Sequence, residues 1–76
     1  MQLLHVRWRD AHHLGAGEWV NVDDATIGVQ VVTVGLLVRE TRHYLVLAAS
    51  VTSEGDCTGV FAVPRSAVIE SRVLAA

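Results

Sequence analysis

Hydrophobic and polar positions along this chain fall into short runs with either a period of two or none at all, and both patterns signal strands rather than helices. From Leu3 to Asp10 the apolar Leu4, Val6 and Trp8 alternate with His5, Arg7 and Arg9, predicting a strand with one apolar and one basic face. The pattern breaks from Ala11 to Ala25. His12, His13, Gly15 and Gly17 predict a long loop there, folded back by Trp19. Asn21 can N-cap a short helical turn through Val22, Asp23, Asp24 and Ala25, with the acids near its positive end.

The stretch Gly28 to Val51 organises the rest. Val29, Val31, Val32, Val34, Leu36, Leu37 and Val38 form one β-branched, apolar run, and Tyr44 to Ala49 form another, beginning at His43 or Tyr44. Such residues fit a pleated surface better than a helix. Glu40, Thr41 and Arg42 between them suit a tight turn, so a hairpin is predicted. Neither run alternates, so both faces of the hairpin need cover. Gly35, inside the first run, marks a bulge or bend that would let one strand serve two sheets, as in a small barrel.

Thr52 to Thr58 reads as a polar loop, Gly59 to Val63 as a fourth strand and Ala67 to Leu74 as a fifth. Pro64-Arg65-Ser66 separates the last two, because proline cannot donate to the ladder. The fold class is therefore all-β: a small, five-stranded, strongly bent antiparallel barrel with one helical turn in the first long loop.

At 76 residues the chain makes a single domain, 1–76, able to bury only about 60% of its unfolded surface. Yet 51% of its residues are hydrophobic and 18% charged, and two long stretches carry no charge, so homo-oligomerisation is expected. The net charge of −2 gives no footprint for duplex nucleic acid. All basic residues are arginine, which either reflects codon bias or serves phosphate recognition through guanidinium forks. The single Cys57 cannot form an intrachain disulfide, no signal-peptide pattern follows Met1, and the apolar runs are too short to cross a membrane as helices. A cytoplasmic location and no membrane partner are expected.

The order of strand, long loop, three-strand meander, proline break and closing strand resembles the Src-homology-3 barrel. Gly59-Val60-Phe61-Ala62-Val63-Pro64 with Val68 is similar to that fold's closing signature. The glycine-bearing strand and its hairpin are also similar to the Sm-like barrel. A nearer resemblance, over nearly the whole chain, is to short, mostly uncharacterised proteins of tailed bacteriophages. It rests on Trp8-Arg9-Asp10-Ala11, Asp23-Asp24-Ala25, Val34 to Val38, Tyr44 and Val63-Pro64-Arg65. It implies a protein acting in the cytoplasm of an infected bacterial host.

No catalytic signature is present, and no cofactor or enzymatic activity is expected. His5, His12, His13 and Asp10 could in principle ligate zinc, but His5 and Asp10 have opposite parity on a regular strand and adjacent loop histidines are ordinarily solvated. Cys57 beside Asp56 is a poor thiol nucleophile.

In a Src-homology-3 barrel the groove lies between the first loop, the turn after the second strand and the proline break. That resemblance brings Asp10, Trp19, Arg42, Tyr44 and Arg65 together, with Trp8 beside them as a further aromatic. Ala67 stands where that fold's post-proline tyrosine would be, and its tryptophan pair is missing, which speaks against proline-rich peptides. Aromatics and arginines at such a rim could stack on a base and hold phosphate. Trp8 and Trp19 could equally plug the barrel ends. The expected function is non-enzymatic binding of a nucleotide-derived small molecule at subunit junctions, of the kind that sequesters a host immune signal. The alternative is a structural or host-protein-interaction module without a small ligand, and single-stranded RNA binding is a third option that the acidic balance disfavours.

Overall fold

The computed structural model describes residues 1–10 and 29–76. The expected helical turn, with Trp19, His12 and His13, lies outside them. The described residues are all-β, with seven strand segments: β1 (Leu3–Asp10), β2 (Val29–Glu40), β3 (Tyr44–Ala48), β4 (Ser50–Val51), β5 (Cys57–Thr58), β6 (Phe61–Pro64) and β7 (Val68–Ala75). A single turn of 3-10 helix, Arg65–Ala67, links the last two. Five strands form one antiparallel sheet in the order β6-β3-β2-β1-β7, and β4 pairs with β5.

β1 follows its sequence pattern closely. Leu4, Val6 and Trp8 are buried and point to the core, where Leu45, Leu47 and Val63 meet them. Fully burying aliphatic side chains such as Val6, Leu47 and Val63 contributes about 1.5–3 kcal/mol each. β2 pairs with β1 from Val29 to Leu36 and with β3 from Leu36 to Glu40, so one strand serves two neighbours.

A register irregularity in the β2–β3 ladder lies at Val38, between Leu37 and Arg39. Gly35 answers a different need. A Cβ placed there would stand 3.0 Å from Leu47 Cβ and 3.2 Å from the Ala48 carbonyl oxygen, so the missing side chain admits β3. Its φ is not in the left-handed region.

Three segments depart from the expected boundaries. β3 stops at Ala48, and Ser50–Val51 beyond it pair with Cys57–Thr58 from the expected loop, a ladder closed by Thr52 N–H to Asp56 O at 2.7 Å and Asp56 N–H to Thr52 Oγ1 at 3.1 Å. Gly59 adopts φ +63°, and a Cβ there would fall 2.7 Å from Ala49 Cβ. Pro64 closes β6 instead of following it, which is tolerated because β6 is an edge strand.

The order of strands dictates curvature. β6 and β7 are the two edges, four spacings or about 19 Å apart in a flat sheet. Only the 3-10 turn connects Pro64 to Val68, a reach of at most about 14 Å. The sheet must curl to bring its edges toward each other.

Candidate functional site

The tight turn after β2 is built by Thr41. Its N–H donates to Tyr44 O at 2.9 Å, while Tyr44 N–H and His43 N–H donate to its Oγ1 at 3.0 and 3.3 Å. Tyr44 is thereby fixed at the start of β3, opposite Pro64. The 3-10 turn docks onto the same place, with Arg65 N–H donating to His43 O at 2.8 Å. The Arg65 side chain adds a bond from Nε to Thr41 O at 2.8 Å and an ion pair to Glu40.

These ties place Arg42, Tyr44 and Arg65 around one concavity of about 400 Å³, completed by His43, Pro64 and Ser66. Tyr44 is 45% exposed, leaving ring surface open to a planar ligand. Arg42 is also exposed and forms no ion pair among the described residues. Its guanidinium can meet a phosphate or carboxylate bidentately. Arg65 is oriented and already paired with Glu40.

A second cleft of about 380 Å³ is lined by both partners of that ion pair. Leu4, Leu37, Leu45 and Val73 supply its apolar wall, with Glu40, Arg65 and Arg72 among its polar groups. Arg65 therefore lines both depressions. Glu40 was legible only as a turn residue, since nothing local ties it to a residue 25 positions away.

The other candidate residues do not join this group. Trp8 is a buried core residue: its indole N–H donates to Thr33 Oγ1 at 3.0 Å, and its ring lies 5.5 Å from that of Phe61 at 46°. Of the two roles open to it, this is packing, and it offers no ring face to a ligand at the rim. Thr33 sits at an inward position of an apolar strand because it satisfies that N–H. Asp10 ends β1 opposite Val29, at the other end of β2 from the Thr41 turn, and does not line the concavity. Trp19 lies outside the described residues.

Among the described residues no group of three or more His, Cys, Asp or Glu could hold a metal ion. No helix among them is long and apolar enough to cross a membrane. Comparison with protein-family models, curated proteins and solved structures finds no match to this chain.

Proposed function

We propose that this chain is a non-enzymatic binding protein that takes a phosphate-bearing small ligand, a nucleotide, between the Thr41 turn and the Pro64 break. The observation that carries this reading is the convergence of Arg42, Tyr44 and Arg65 on one concavity. A phosphate held by Arg42 gains a charge-assisted bond worth about 1.5–3 kcal/mol. A base stacked on Tyr44 adds about 1–3 kcal/mol. Arg65 contributes less than its charge suggests unless the ligand displaces Glu40.

The resemblance to short tailed-phage proteins makes nucleotide immune signals of an infected bacterium the ligand class, and sequestration the role. The fold behind it is a half-open barrel of Src-homology-3 or Sm-like type. Supporting this are the curl imposed by the three-residue link and the cleft left along β7. Self-association belongs to the same reading, because Val32 and Val34 are 56% and 52% exposed on the outer face of the sheet.

Thermal-shift screening of the purified protein against a nucleotide library identifies the ligand, since binding to the native state raises its stability. Calorimetric titration then tests the site. Arg42→Ala and Tyr44→Ala should each weaken binding at least about tenfold, a loss of 1.4 kcal/mol or more, with the melting temperature unchanged. If no nucleotide binds the parent, the exposed Val32 and Val34 favour the alternative, a protein-interaction module.

A further inference from the structure

The two edges of the main sheet are not equally protected. β6 has four residues and ends in proline, both devices that discourage strand addition. β7 has eight, pairs only with β1 among the described strands, and exposes Ile69, Val73 and Leu74. Its register with β1 skips Ile69 and Leu74, leaving Glu70 to Val73 as a regular ladder between two bulges. The only charges in β7 are Glu70 and Arg72, flanking Ser71.

That order is self-complementary. Two copies of β7 laid antiparallel about a two-fold axis at Ser71 set Glu70 of each opposite Arg72 of the other, and Ile69 opposite Val73. Moving the axis one residue either way puts Glu70 against Glu70 or Arg72 against Arg72, which like-charge repulsion disfavours. Glu70 and Arg72 oppose Arg7 and His5 on β1 and share one parity along β7, so in the joined sheet they meet on the same side.

We propose that a second copy of this chain adds at β7, joining two five-stranded sheets into one through an isologous β7–β7 ladder centred on Ser71. The ladder supplies main-chain hydrogen bonds to an edge left unpaired among the described strands and covers Ile69, Val73 and Leu74. The two ion pairs set register more than affinity, since exposed pairs are individually weak. An isologous contact closes at two subunits, whereas a β7-to-β6 contact would propagate. This inference deepens the self-association part of the reading above and does not depend on the ligand.

Sedimentation equilibrium across the micromolar range is the test, with circular dichroism to confirm folding. The parent should be a dimer. Arg72→Glu leaves both β7 charges negative and should raise the dimer dissociation constant at least about tenfold. Glu70 already faces Arg7 of its own sheet in an exposed ion pair at 3.6 Å, so Glu70→Arg is combined with Arg7→Glu to keep that pair; the double variant leaves both β7 charges positive and should do the same. Mixing these two variants should restore association as a heterodimer. In the parent, amide protection over Glu70–Val73 should rise with protein concentration, a readout that needs no variant. A monomeric parent would overturn the proposal together with self-association. A dimer that Arg72→Glu leaves intact, unmixed pairs, or protection independent of concentration would overturn the β7 ladder alone.

Discussion

Arg65 reaches across the proline break to the turn on the far side of β3, its Nε donating to the carbonyl oxygen of Thr41 at 2.8 Å. This bond joins segments 24 positions apart and makes the rim of the concavity a single piece. The Glu40 ion pair lies beside it, exposed on both partners, so its contribution to stability is small.

Glu40→Gln should therefore cost less than about 1 kcal/mol in denaturant unfolding while freeing the Arg65 charge. Under the nucleotide reading, phosphate-bearing ligands should bind Glu40→Gln more tightly than the parent in calorimetry. Weaker or unchanged binding would mean that Arg65 does not touch the phosphate.

Thr33→Val keeps the shape of the residue and removes the acceptor from the Trp8 indole N–H. A buried donor left unpaired costs about 1–3 kcal/mol, so the unfolding midpoint should fall accordingly. Nucleotide affinity should not change, because Trp8 belongs to the core. Lost affinity with full stability would return Trp8 to the binding site.

The glycines separate by environment. Gly59→Ala meets a left-handed backbone and the side chain of Ala49, whereas Gly55→Ala meets only the backbone penalty at φ +91°, with nothing within 4 Å. Gly59→Ala should be the more destabilising by thermal unfolding, with overpacking adding about 1–3 kcal/mol. Equal effects would show that Ala49 yields without cost.

Gly35→Val should destabilise by more than about 1 kcal/mol despite valine's β propensity. The cause is crowding of Leu47 and the Ala48 carbonyl and not a forbidden φ, so Gly35→Ala should already show most of the loss. A variant melting at or above the parent temperature would remove the close approach of β2 and β3 as a reason for glycine.

Much of this fold is legible in the chain because its inward residues announce themselves. Leu4, Val6 and Trp8 alternate, and the Glu40-Thr41-Arg42 interruption is placed where β2 turns into β3. The unalternating run around Val32 and Val34 implies cover on both faces, and within a single chain these side chains are exposed, so any cover must come from outside the described residues. The β4–β5 ladder is too short to leave a pattern; the Thr52 hydroxyl, a local signal, closes it. Of the site residues that the barrel likeness groups, Arg42, Tyr44 and Arg65 were brought together on the concavity. Asp10 was not, because its distance from the turn along β2 outweighs the likeness that grouped them. The partnership of Glu40 with Arg65 has no local cause and required the folded chain.

Leu3 pairs with Ala75, so the strands nearest the two ends of the sequence lie side by side across 72 positions. By contrast, β2 and β3 join residues only 5 to 12 positions apart, and their hairpin closes at little entropic cost. Loop-closure cost therefore predicts that the meander of β2, β3 and β6 forms first and that β1 with β7 zips onto it afterwards, when the longest loops close. The order of unfolding runs the other way. Under native conditions the β1–β7 seam should exchange its amides before the β2–β3 hairpin does, and anything bound along β7 would slow the whole protein's opening rather than one edge of it.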